Sequence, residues 1–199
     1  MTKDSPAGNQ TNAARSTLGK GVAMVKPITH VELTPKKELF RRIDGLKQSM
    51  AGAGIDFSVI LQNVDMFYFT GTVQKGVLVI PVHRDPIFFV EKSVERARSE
   101  TPLDVVPIAN DKAIKEILRH KKIIRGTGGM ELDVVPVSVF ERFKRIIGFE
   151  TFVDVSPLIK ALREIKSPFE LEQVMKSGQI MRHVFALALA SPWSSVSPR

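Results

Sequence analysis

Three carboxylates, Glu131, Asp133 and Asp154, stand at the ends of apolar runs in this chain. Three acids meeting at one end of a sheet could hold divalent cations for phosphodiester cleavage. The set lacks a member, because the first apolar run, Phe57 to Leu61, carries no acid. Asp154, just ahead of Ser156-Pro157, is also explained as a local cap of the next helix. The four histidines, His30, His83, His120 and His183, give no zinc signal. None has a second His or a carboxylate at the spacing that places two ligands on one helix face. His83, close to Asp85, reads as part of a polar turn.

Gly126-Thr127-Gly128-Gly129 is the remaining candidate, since glycines let backbone amides approach an anion. A phosphate loop needs a helix that begins at the loop, whereas Met130 to Pro136 delays it, and no Gly-Lys-Ser or Gly-Lys-Thr follows. The run therefore reads as a turn leaving a strand. With no cysteine in 199 residues, thiol nucleophiles, thiolate ligands and disulfides are excluded, which suits a reducing compartment. No residue is assigned as catalytic, cofactor-binding or metal-ligating, and the chain alone is expected not to be an enzyme.

The elements that would position these groups alternate. Thr34-Pro35 caps a helix carrying Leu39, Phe40, Ile43, Leu46 and Met50 at helical spacing, ended by Ala51-Gly52-Ala53-Gly54. Strands are expected at Phe57 to Leu61, Gly76 to Pro81, Pro86 to Val90, Asp104 to Ile108, Lys122 to Arg125 and Glu150 to Val155. Helices fall at Ser93 to Glu100, Asp111 to His120, from Pro136 to Gly148, and from Ser156-Pro157 onward. Phe67, Tyr68 and Phe69, in a short helical turn, are expected to fill the core. The resulting class is α/β, a mixed β-sheet with helices on both faces.

Near the C-terminus, Leu162-Arg163-Glu164-Ile165-Lys166-Ser167-Pro168-Phe169-Glu170-Leu171 reads as a hinge. Ser167 is an N-cap, Pro168 suits the first helical position, and Glu170 completes a capping box. The helix it opens repeats apolar residues at Leu171, Val174, Met175, Ile180, Met181, Val184 and Phe185, so one face asks for cover. Residues 1–30, polar and aperiodic, read as a disordered lead-in; 34–165 form the domain; 166–187 open a further helix; and 188–199 are an irregular tail.

The charge, 29 Lys and Arg against 21 Asp and Glu, raises nucleic acid as a partner. The densest basic group, Lys36, Lys37, Arg41, Arg42 and Lys47, falls on the polar side of the first helix without aromatic interleaving, so a solvated face is expected instead. No run is long enough to span a membrane and the first thirty residues lack a signal-peptide core. The expected location is the cytoplasm.

Asp65 to Gly71, Gly129-Met130-Glu131 with Val135-Pro136, and Phe152-Val153-Asp154 through Glu170 occur in an order that resembles the creatinase and Xaa-Pro peptidase family, which includes prolidase and aminopeptidase P. They are similar to its tyrosine-leucine-threonine-glycine segment, its glycine-x-glutamate turn and its interdomain linker. The likeness covers roughly residues 36 to 185. It implies a ribonuclease-H-like, non-catalytic N-terminal domain that helps build a dimer and shapes the active-site entrance. In that family chemistry belongs to a C-terminal pita-bread domain, where two aspartates, a histidine and two glutamates hold two divalent ions such as manganese or cobalt. Those ligands would lie beyond Arg199, so a truncated gene product, from a frameshift or premature stop, is expected. The partner implied is a second copy or a full-length paralogue, without nucleic acid or membrane. A different class of function is an interaction module that docks on a paralogue or a separately encoded catalytic half, using Val184, Phe185, Leu187 and Leu189.

Overall fold

A computed structural model of the chain describes residues 32–123, 125–148 and 151–190. The lead-in at 1–30, with His30, lies outside the described residues, as do 191–199 of the tail expected at 188–199; residues 188–190 of that tail instead continue the last helix. In chain order the elements are α1 (Lys36–Gly52), β1 (Phe57–Ile60), α2 (Asn63–Thr70), β2 (Gly76–Pro81), β3 (Ile87–Val90), α3 (Val94–Glu100), β4 (Asp104–Pro107), α4 (Asp111–His120), β5 (Gly128–Met130), α5 (Val137–Ile147), β6 (Phe152–Asp154), α6 (Ser156–Glu164) and α7 (Pro168–Ala190). The strands form one mixed sheet in the order β4-β3-β2-β1-β5-β6. β2 is antiparallel to both β1 and β3, while β3–β4, β1–β5 and β5–β6 are parallel. Each parallel step needs a crossover, and α3, α4 with the β1–β5 connection, and α5 supply them.

Alternation along the strands divides the core in two, because successive side chains point to opposite faces. On one face Ile60, Leu78, Ile80, Phe88 and Val90 pack against Ile43, Leu46 and Met50 of α1, Phe69 of α2 and Ile159 of α6. On the other, Phe57, Val59, Val77, Val79, Phe89 and Met130 meet Ile114 and Leu118 of α4 and Phe143 and Ile147 of α5. This is the α/β sandwich expected from the alternating elements.

Four local readings need correction. No strand forms among the described residues of the span expected at Lys122 to Arg125: Lys122 has φ 51°, and the strand forms instead at Gly128–Met130, within the glycine run read as a turn. Two aromatic rings explain the choice, since a Cβ on Gly128 would sit 2.8 Å from both Phe57 and Phe152, so only glycine lets the strand lie against β1 and β6. Thr34 does not cap α1; Pro35 occupies that position and makes no side-chain capping bond. Phe67 is 44% exposed, because it points off the outer side of α2 while Tyr68 and Phe69 turn inward. Arg42, placed on the solvated face by its neighbours in sequence, is buried.

Candidate functional site

The acids that could have formed a cation site are brought close but spent on other bonds. Asp154 Oδ1 accepts the N–H of Ser156 at 2.9 Å and of Leu132 at 3.2 Å, a local turn just ahead of α6; the helix's N-cap is Val155, without a side-chain capping bond, so the cap expected at Ser156-Pro157 does not form and Ser156 is instead its first residue. Ser156 Oγ lies 2.5 Å from Asp133 Oδ1 and 2.6 Å from Asp154 Oδ1, and Lys160 Nζ is 2.6 Å from Asp133 Oδ2. The Lys160 bond, with help from Ser156, holds the Asp133 carboxyl below the usual carboxylate range. Glu131 does not join them. The register that sets Val59 beside Met130 carries its side chain under the end of β1, where Oε2 accepts the Leu61 and Gln62 N–H groups. Among the described residues no three His, Cys, Asp or Glu side chains are grouped to hold a metal ion. A two-metal centre does not fit this donor set.

The histidines separate as well. His83, in the β2–β3 turn, and His120, at the end of α4, line one open cleft with Asp85, Asp104 and Lys121, where Lys121 pairs with Asp104 at 3.4 Å. His183 stands on the exposed surface of α7.

The developed polar site is the hinge. The capping box forms as read from the sequence: Glu170 N–H donates to Ser167 Oγ at 3.1 Å, and Ser167 N–H donates to Glu170 Oε2 at 2.8 Å. The same two residues also reach back 128 or more positions to α1. Ser167 Oγ donates to Glu38 Oε1 at 2.9 Å, and Arg42 Nη2 donates to Glu170 Oε1 at 3.2 Å. Arg42 further donates through Nε to Glu38 Oε1 at 2.9 Å and through Nη1 to the Tyr68 carbonyl at 2.7 Å, while its guanidinium lies 4.2 Å from the Tyr68 ring centre. Arg41 closes the outer side with two bonds to Glu38, at 3.0 and 2.7 Å. These bonds, Arg41's foremost, hold the Glu38 carboxyl well below its usual range, at about 2. A planar fork with donors on three sides is what such a junction needs, and lysine could not replace it.

Beyond this clamp most of α7 is exposed among the described residues. Leu171 is 50% exposed, Met181 56%, Phe185 61% and Leu189 83%, and Val174, Met175, Ile180 and Val184 are also exposed. Leu171, Val174, Gly178, Met181, Phe185 and Ala188 follow one another at alternating steps of three and four, so they share one stripe. The first turn is therefore fixed by buried charge while the rest presents a bare apolar seam. No helix among the described residues is long and apolar enough to cross a membrane.

Sequence reasoning found the cap and the exposed seam but missed the clamp. Its only local trace is the i, i+3 and i, i+4 spacing of Glu38 with Arg41 and Arg42, which is common on solvated helices.

Comparison with known proteins agrees with this architecture. Residues 42–165 match the family described as Creatinase/Prolidase N-terminal domain. The Xaa-Pro dipeptidase of Pyrococcus furiosus is 28% identical over 141 residues, which is 70% of this chain and 39% of that protein. A solved Xaa-Pro dipeptidase from Bacillus anthracis superposes with TM-score 0.68 at 24% identity, covering 76% of this chain and 43% of its own. A solved proline dipeptidase chain from Streptococcus pneumoniae gives TM-score 0.55 at 21% identity, over 62% of this chain and 98% of that one. The chain thus spans about two-fifths of the curated relative it matches.

Proposed function

The chain belongs to the creatinase/prolidase N-terminal domain family, and from that premise we propose that it serves as the non-catalytic domain of a metal-dependent Xaa-Pro peptidase, forming dimer contacts and bordering the active-site entrance. The observation that carries this reading is the pairing of a rigid hinge with a bare helix. Ser167, Glu170, Glu38 and Arg42 fix the direction in which α7 leaves the domain, and the exposed stripe from Leu171 to Ala188 is the surface a following catalytic half would cover. The chemistry is assigned to that half, where divalent metals such as manganese or cobalt would polarise the substrate carbonyl and activate water. The part played by residues 1–199 is to bind and orient. Absence of cysteine supports residence in the reducing cytoplasm.

The purified 199-residue chain is expected to show no turnover of Xaa-Pro dipeptides with added manganese or cobalt. It is expected to bind a separately expressed catalytic half of a related peptidase, and to lose that binding on Phe185→Glu. Cleavage by the chain alone, or equal binding by the variant, would refute the proposal.

The exposed Val184, Phe185, Leu187 and Leu189 also favour a second reading, in which the chain docks on a full-length paralogue. Each large apolar side chain left in water forgoes about 1.5–3 kcal/mol of burial. Removing residues 167–199 would also remove Ser167 and Glu170 from the clamp, so the informative truncation is 174–199. The shortened chain is expected to stay folded and to be the more soluble by light scattering. Unfolding on truncation would show that α7 supports the domain itself.

A further inference from the structure

Glu131 is fully buried, and its two oxygens are in different surroundings. Oε2 accepts the Leu61 N–H at 2.7 Å and the Gln62 N–H at 3.0 Å, whereas Oε1 meets no donor. Gln62 links this group to another acid: its N–H donates to Glu131 and its side-chain Oε1 accepts the Asp65 N–H at 2.8 Å, so Asp65 of α2 starts beside Glu131, and its charge adds to the upward push of burial on the Glu131 carboxyl. Two ionised carboxylates offer one another only acceptors, and a buried acceptor left unpaired forfeits the hydration it had in water. A single proton between them removes both the orphaned oxygen and the repulsion.

The other charges nearby do not offer an alternative. On α6, Arg163 Nη1 is bound to Asp65 Oδ1 at 2.6 Å and Lys160 to Asp133. Asp133 on the same turn and Asp154 of β6 are acids engaged with Ser156. The β1 side supplies only the two backbone amides. Among the described residues, no cation bonds to Glu131.

We propose that Glu131 is a neutral carboxylic acid that donates a hydrogen bond from Oε1 to the Asp65 carboxylate. The resulting relay, Glu131–Asp65–Arg163, ties the end of β5 through α2 to α6, the helix that leads into the hinge. When the proton leaves, Glu131 and Asp65 repel, the bond is lost, and the hold on α6 through Arg163 slackens. The relay thus makes the stiffness of the linker sensitive to mildly alkaline pH. Burial is the main reason the proton stays, pushing the Glu131 carboxyl up to about 8 against the pull of the two amides.

Carbon-13 NMR of the full chain, with the Glu131 Cδ resonance assigned by its absence in Glu131→Gln, reads this proton directly. The expected midpoint is near pH 8. A midpoint in the ordinary carboxylate range, near pH 4 to 5, would overturn the proposal. Asp65→Asn places an amide donor beside Oε1 and is expected to lower the midpoint by at least about one pH unit, a tenfold change in proton affinity. An unchanged midpoint in that folded variant would overturn the pairing with Asp65. Hydrogen exchange tests the mechanical consequence. Amides of α6 are expected to exchange faster as pH passes the midpoint, beyond the intrinsic base-catalysed rise, in the native protein but not in Glu131→Gln. The same rise in both proteins would overturn the link to α6.

Discussion

Replacing Arg42 by alanine is expected to lower the unfolding free energy by about 3–5 kcal/mol, because it removes one partner from a buried ionic network and leaves the others uncompensated. Arg42 is 5% exposed and Glu38 8%, so neither charge can recover its hydration by turning outward. Three bonds are lost at once: those to Glu38, to the Tyr68 carbonyl and to Glu170. The stacking on Tyr68 goes as well. Arg42→Lys keeps the charge but not the fork, and is expected to recover less than half of the loss. Urea unfolding followed by circular dichroism measures both variants, and a cost below about 1 kcal/mol for Arg42→Ala would show that the network is replaceable by water. Amides in the first turn of α7 should lose protection along with global stability, since Glu170 then keeps only the long 3.8 Å pairing with half-exposed Arg41 as its tie to α1.

The same network sets an acid limit on stability. The folded Glu38 carboxyl titrates at about 2, below its ordinary 4.5. A depressed carboxylate pKa contributes stability that is complete above the unfolded value and lost as pH falls toward the folded one. The loss therefore runs between about pH 4.5 and 2, on the order of 2 kcal/mol once the screening of half-exposed Arg41 is allowed for. Glu131 acts in the opposite sense. Its folded value lies above the unfolded one, so the folded state holds an extra proton and stability declines as pH rises from about 4.5 to 8, then levels off.

Gly129→Ala is expected to destabilise by about 3 kcal/mol, at the upper end of the range for overpacking a core. Its Cβ would sit 2.2 Å from Val155 Cγ1 and 3.3 Å from Ile55, with the backbone oxygen of Phe57 at 3.5 Å. Val155 cannot yield cheaply. It is fully buried, it precedes the first turn of α6, and its N–H donates to the Met130 carbonyl at 3.0 Å. Relief therefore requires β5 to part from β1 or α6 to shift, and either would disturb Glu131, two residues on from Gly129. Gly52→Ala is the control, since nothing lies within 4 Å of its added Cβ, and its effect should stay within about 0.5 kcal/mol. Equal melting temperatures for the two variants would mean that the sheet absorbs the methyl group without strain.

How much of this was legible in the sequence depends on how far apart the partners lie along the chain. The periodicity of Leu39, Ile43, Leu46 and Met50, the apolar runs at Phe57 and Gly76, and the capping box at Ser167 act within a few residues of themselves. The element order and the α/β class follow from them. The bare face of α7 was legible for the same reason, since a stripe at steps of three and four is a property of one helix.

Other features depended on contacts that only the folded chain makes. Ile123 and Ile124 look more like a strand than Gly128 and Gly129 do, yet the glycines form β5 because Phe57, Phe152 and Val155, from other elements, leave room only for hydrogen there. Arg42 looks solvated beside Lys36, Lys37 and Arg41, yet it is buried because Ser167 and Glu170 return to α1 from more than 120 residues away. Glu131 follows a strand in a glycine-x-glutamate turn, and nothing local says that it will be sealed beneath Leu61 and Gln62 beside a second acid. Sequence alone determined every element but β5, the α/β class and the family, because those rest on local spacing and motif. Tertiary structure decided the burial of charge at the hinge and at Glu131, because the cost of dehydrating a charge is set by neighbours that the chain supplies only on folding.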